Sequence, residues 1–167
     1  MKNFKLKIAL QVLFFLAALG IGTGSVNAQT YKTGLGLLID VGDGGTLVGP
    51  HVKHFFQPNH AGEASLQFGT GLTVLQAMYQ YHQPISGAEG LQWYLGLGGA
   101  LFFPNNSGTT EFGIVPAAGI DYKISSAPIS MFADWRPKFL ISDGENEFLA
   151  ARFGLGLRFI LNARSNP

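Results

Sequence analysis

The chain has 167 residues, no cysteine, 13% charged side chains, 23 glycines and a sequence pI of about 8.0. Without cysteine there is no disulfide framework, no thiolate metal site and no cysteine for a lipid anchor. Once three lysines of an N-terminal leader are set aside, eight Lys and Arg face ten Asp and Glu, a net charge of −2. No basic patch remains to suit nucleic acid.

The leader comes first. Lys2, Lys5 and Lys7 open the chain, Ile8 to Leu19 is an apolar run, and Val26-Asn27-Ala28 ends on a small residue. That layout predicts a secretory signal peptide over residues 1–28, cleaved before Gln29. The apolar run falls short of the about 20 residues a membrane-spanning helix needs. Residues 29–167 then suit a single domain.

Beyond Gln29 the pattern has period two. Eight alternating runs are predicted as strands: Tyr31–Val41, Leu47–Phe56, Glu63–Thr70, Leu72–His82, Leu91–Phe103, Glu111–Tyr122, Ile129–Phe139 and Phe148–Leu161. Turn formers separate them, as in "GDGG" (42–45), "QPNHAG" (57–62), "QPISGAEG" (83–90), "PNNSGTT" (104–110), "KISSAP" (123–128) and "ISDGENE" (141–147). Runs three and four meet at a tight hairpin, Thr70-Gly71. Sequential strands with short connectors imply an all-β, eight-stranded antiparallel up-and-down barrel, since closure removes the edges. Soluble lipocalin-like barrels and small membrane barrels both fit. They differ in which face is dry.

Three patterns bear on that. Lys32, Asp40, Lys53, Glu63, Glu111, Asp121, Asp134, Arg136, Lys138, Arg152 and Arg158 fall on one face of their strands. Gly34, Gly36, Gly49, Gly69, Gly96, Gly98, Gly113, Gly119, Gly154 and Gly156 lie mostly on that same face, where a narrow lumen needs them and a solvated exterior does not. Tyr31, Phe56, Tyr81, Trp93, Tyr122 and Phe159 lie on the other face, near the rim that carries the chain termini. Phe103, Phe112 and Trp135 lie nearer the opposite rim. Between the rings come aliphatic residues such as Leu35, Leu37, Val52, Leu95, Ile114 and Leu157. An apolar band between aromatic girdles is the exterior of a transmembrane barrel. In "FADWRPKF" (132–139) the charged comb should therefore point inward, and Ala133, Trp135 and Pro137 toward lipid.

From about Tyr31 to Leu161 the chain resembles the small eight-stranded outer-membrane barrels of the OmpA/OmpX type, and most of all the Bacteroidetes "outer membrane protein beta-barrel" proteins. The resemblance is carried by "GPHVKHFF" (49–56), "GLQWYLGLGGAL" (90–101), "GIDYKISSAPISMFADWRPKF" (119–139) and "RFGLGLRFIL" (152–161). The last looks like the signal read by the barrel-assembly machinery, with Gly156, Phe159 and Leu161 at its glycine and two final hydrophobic positions. The chain departs from that pattern twice: six residues follow Leu161, and this position is usually aromatic. The resemblance implies an outer-membrane location and contact with outer-membrane lipid, and no particular activity.

For the lumen charges, an ion path competes with a salt-bridge network that fills the interior, and eight strands favour the network. A lipid-modifying barrel enzyme would need His, Ser and a carboxylate together near the outer rim. His51 lies toward that rim with no serine two residues away, His54 and His60 lie by the periplasmic turn, and His82 ends a strand. Asp143, Glu145 and Glu147 lack the spacing of a calcium-binding EF-hand loop, and no helix follows either "GLG" (96–98, 154–156) as a nucleotide loop requires. Pro116 sits mid-strand, where a bulge would be needed to accommodate it. The expectation is a non-enzymatic, monomeric barrel without cofactor or metal. The alternatives are a soluble periplasmic lipocalin-like carrier and an outer-membrane lipid-modifying enzyme.

Overall fold

The computed structural model describes residues 31–105, 109–141 and 146–161. The leader, positions 106–108, and the loop tip bearing Asp143 and Glu145 lie outside the described residues. In chain order the strands are β1 (Thr33–Gly42), β2 (Leu47–Gln57), β3 (His60–Gly69), β4 (Leu72–Pro84), β5 (Leu91–Pro104), β6 (Glu111–Lys123), β7 (Ile129–Trp135), β8 (Lys138–Ile141), β9 (Glu147–Leu149) and β10 (Arg152–Ile160). All pairings are antiparallel, and β1 closes the sheet on β10 from Gly34↔Ile160 to Gly42↔Arg152. The architecture is a closed eight-stave barrel, because β7 with β8, and β9 with β10, are single staves each interrupted once. Closure leaves no edge to pair with another chain.

The turns follow local chemistry. Gly71 adopts φ +71°, a left-handed value that glycine reaches without steric cost, so Thr70-Gly71 makes the hairpin between β3 and β4. The connection between β2 and β3 is tighter than its sequence suggests. Pairing runs on to Gln57↔His60, past a register shift at Phe56, and only Pro58 and Asn59 turn the chain.

Prolines set the interruption. β6 pairs with β7 at Ala118↔Trp135 and with β8 at Ile114↔Phe139, with three residues between these pairs on each side. The register is therefore continuous and Pro116 stands across from Pro137. Neither has an N–H to give, so the ladder lapses where both prolines meet. β6 itself carries no extra residue. The bulge expected at Pro116 lies one stave further on, where Arg136 and Pro137 oppose the three residues 150–152. Its polar groups are met locally. Arg136 N–H donates to the Arg152 carbonyl at 2.9 Å, and Trp135 Nε1 donates to the Ala150 carbonyl at 2.7 Å. Asp43 N–H donates to the Ala151 carbonyl at 2.9 Å, and Ala151 N–H to Asp43 Oδ2 at 2.9 Å. Pro137 is thus buried at the break, not pointing at the exterior as its strand parity predicts.

Side chains alternate in burial along the unbroken strands, β2 being the clearest and the glycine-rich middle of β5 the weakest. The interior has three regions. Near the chain termini, Tyr31, Phe55, Ala61 and Ile160 form an apolar plug. The middle holds charges. Toward the other rim, Leu47, Val74, Met78, Ala100, Phe102, Val115, Ala117 and Leu140 form a second apolar cluster, with Leu72 and Leu149 against it. The charges continue beside it: Asp40 is opposite Leu47 in register and Lys138 Nζ lies 5.6 Å from the Phe102 ring.

Candidate functional site

The charged middle of the lumen is the chemically distinctive region. Asp40, Lys53, Glu63, Asp121, Asp134, Arg136, Lys138, Arg152 and Arg158 all point inward and are buried. Glycines make the room. A Cβ on Gly156 would run into the Phe132 ring, one on Gly154 into the Arg136 and Asp134 side chains, and one on Gly119 into Asp134. Bulky residues on one stave are accommodated by their absence on the next.

The network has four carboxylate nodes. Glu63 on β3 lies 3.5 Å from Arg136, 3.9 Å from both Lys53 and Arg158, and 3.4 Å from His51, and accepts from Gln80 Nε2 at 3.0 Å. Asp121 on β6 accepts from Lys53 Nζ at 2.9 Å, from Arg158 and from the Tyr31 hydroxyl at 3.3 Å. Asp134 on β7 takes Arg136 in a two-pronged contact, through Nε at 2.6 Å and through Nη2, and also accepts from the Tyr94 hydroxyl. Asp40 on β1 pairs with Lys138 at 2.7 Å and Arg152 at 2.8 Å. Arg152 also donates to the Asp43 and Gly45 carbonyls, which ties the β1–β2 turn to the bulge.

Phe132 is the hub of the packing. Arg158 lies 4.5 Å, Arg136 5.6 Å and Lys53 5.8 Å from its centroid, with the His51 ring at 5.0 Å. Tyr94 supports Lys53 from another side, at 4.6 Å. Five cations thus meet four carboxylates, with π-faces spreading the extra positive charge. The serines are engaged with other groups: Ser130 Oγ accepts from Arg158 Nε at 3.1 Å and Ser65 Oγ from Gln67 Nε2 at 2.8 Å. Among the described residues, no group of three His, Asp or Glu is placed to hold a metal.

Two sequence-assigned positions belong elsewhere. Lys32 is exposed, not in the lumen, and Tyr31 is buried inside the barrel, not in the outer girdle. Alternation projects correctly only within a strand, and a bend at Lys32 precedes β1. Tyr31 turns inward to stack edge-on against Phe55 at 5.1 Å and to reach Asp121. Glu111 is half-buried at the start of β6 and joins none of the ion pairs among the described residues.

The remaining girdle residues, Phe56, Tyr81, Trp93, Tyr122 and Phe159 at one rim and Trp135 toward the other, are on the outer wall. Phe68, Phe153 and the stacked pair Phe139–Phe148 add to the second rim. Gly156 faces inward beneath Phe132, whereas Phe159 and Leu161 project outward. Charge alone did not reveal Phe132, Tyr94, Gln76, Gln80, His82 and Ser130 as lumen residues. Their strand parity, extended from the charges to every inward position, does.

No protein-family model matches the chain, and no curated protein matches it. Solved structures do. The N-terminal β-barrel domain of Pseudomonas aeruginosa OprF superposes with a TM-score of 0.57 at 18% identity, over 78% of this chain and 98% of that one. A chain from the de novo design of transmembrane β-barrels gives a TM-score of 0.56 at 13% identity, over 79% of this chain and 98% of that one. At such identities the likeness is one of fold, that of the small transmembrane β-barrel.

Proposed function

We propose that the protein is a non-enzymatic integral outer-membrane barrel with a sealed, salt-bridged lumen, serving a structural or interaction role at the cell envelope. The carrying observation is the inversion of polarity. Nine charged side chains lie inside, none more than 6% exposed, while Leu37, Leu97, Leu155 and Leu157 stand 51–60% exposed on the outer wall. In water such a wall would be an apolar patch far beyond the few hundred Å² soluble monomers show. In a bilayer it faces its proper solvent.

Under this reading residues 1–28 direct export and are removed. Both chain termini lie in the periplasm, and Gly156, Phe159 and Leu161 present the segment that the barrel-assembly machinery engages. Apolar residues pack toward both rims and every lumen cation has a carboxylate partner, which supports a sealed lumen over an ion path. The carrier alternative lacks its apolar cavity, because charges fill the interior. Against the enzyme alternative, no hydrogen bond joins a serine to a histidine among the described residues: Ser65, across from the His51 that meets Glu63, is bonded to Gln67, and Ser130 to Arg158.

Fractionation tests the reading. The protein should appear in the outer-membrane fraction, require detergent for extraction and show a heat-dependent gel shift. Release as a soluble periplasmic species would overturn it. An altered lipid A profile after deletion would instead favour the enzyme.

A further inference from the structure

Outside the lumen, polar side chains concentrate at one place on the wall. At the terminus-side rim, the outward residues of neighbouring staves form a row, Thr33↔His54↔Gly62↔Tyr79, with His60↔Tyr81 beside it. Phe56 sits at the register shift of β2. A Cβ on Gly62 would have the Phe56 ring as its nearest neighbour, at 3.8 Å, so the missing side chain lets that ring lie close to the wall. The Phe56 centroid is 6.5 Å from that of His60 and 6.2 Å from that of Tyr79, with interplanar angles of 23° and 30°. Tyr81 meets His60 edge-on at 5.3 Å, and Trp93 meets Tyr81 at 6.4 Å. The result is a shallow five-ring platform at the level of the girdle.

Two imidazoles in an otherwise apolar wall need a reason. Each has its Nδ1 against a hydroxyl, His54 against Thr33 Oγ1 at 2.9 Å and His60 against the Tyr79 hydroxyl. A hydroxyl donating to Nδ1 leaves the ring proton on Nε2. Among the described residues neither Nε2 has a protein partner. In the tautomer in which both hydroxyls donate, two Nε2–H donors remain at the level of the aromatic girdle, where bilayers place their headgroups. Lys32, exposed and next to Thr33 in the chain, adds an ammonium, and its carbonyl accepts from Phe55 N–H at 2.8 Å, which holds its backbone against β2. The charge of the two rims agrees. Among the described residues the charges not buried in the lumen are Lys32, Lys123 and Glu89 at the terminus-side rim and Asp43, Glu111 and Glu147 at the opposite rim, where the cation Arg152 is buried and paired with Asp40. An anion is favoured on the terminus side.

We propose that this platform, with His54, His60 and Lys32 as its donors, is a binding site for the phosphate headgroup of one phospholipid in the leaflet on the side of the chain termini. The rings cover the glycerol region and the start of the acyl chains. The inference rests on the membrane-barrel reading above. It commits to a lipid, because five rings are superfluous for free phosphate.

The test uses the full-length mature chain in nanodiscs holding equal parts of phosphatidylglycerol and a glucosyl diacylglycerol with the same acyl chains. Native mass spectrometry of the released protein should show one retained phosphatidylglycerol. His60→Phe keeps the stacking and removes the donor. With Lys32→Gln it should lower that retention by about tenfold, the loss of one or two charge-assisted hydrogen bonds. The heat-dependent gel shift should be unchanged, since none of these groups supports the lumen. Inorganic phosphate in excess should not displace the lipid. Equal retention of both lipids, full retention by the variant, or displacement by phosphate would each overturn the proposal while leaving the barrel reading intact. A chain that never enters the discs would overturn both.

Discussion

Asp121→Asn probes the lumen network most directly. The substitution preserves shape and removes one charge at a position 3% exposed. It leaves Lys53 and Arg158, which share Asp121 Oδ2, without their nearest counter-charge. Removing one partner of a buried pair costs about 3–5 kcal/mol, because the other charge stays buried and uncompensated. Glu63 remains 3.9 Å from both cations, and Ser130 and His51 still contact Arg158 at 3.1 Å. The loss therefore belongs near the lower end, about 3 kcal/mol. Against a typical stability of about 5–15 kcal/mol that is a large fraction. Urea unfolding in lipid vesicles, followed by the emission of Trp93 and Trp135, measures it. Adding Lys53→Met removes an orphaned cation and should recover at least about 1 kcal/mol relative to additivity. A single variant that loses less than about 1 kcal/mol, or a double variant that is simply additive, would refute the claim that the lumen charges act as a network.

Three further outcomes are expected. Gly156→Val puts side-chain atoms into the Phe132 ring and near the Leu37 carbonyl, so the barrel should fail to show its heat-dependent gel shift, while Gly71→Ala, strained only by φ, should cost about 1 kcal/mol in urea titrations. Leu157→Arg on the outer wall should cost about 2–4 kcal/mol in vesicles, where an exposed position of a soluble protein would change by about 0.5 kcal/mol or less. Pro116→Ala should leave stability within about 0.5 kcal/mol, because the ladder beside it has already lapsed across from Pro137, and a larger gain would show that the gap is Pro116's own doing.

Much of this molecule is legible in one dimension. Period-two alternation assigns residues to two faces, and a one-residue slip would turn every charge outward, so the inward set from Asp40 to Arg158 follows from the chain alone. The glycines on that face and the girdle residues from Phe56 to Phe159 follow by the same rule. What parity cannot carry is anything past a strand's end. The bend at Lys32 sends Tyr31 inside and leaves Lys32 outside, and the break after Trp135 buries Pro137. Nor does parity say which inward residues meet. Asp121 and Tyr31 are 90 positions apart, Asp40 and Arg152 are 112 apart, and Pro116 is opposite Pro137 only because the register between β6 and the seventh stave runs on unbroken. Those meetings depend on shear and closure, which are properties of eight staves taken together. The faces are local and each strand states its own. The partners are global, and only the closed barrel brings them within reach.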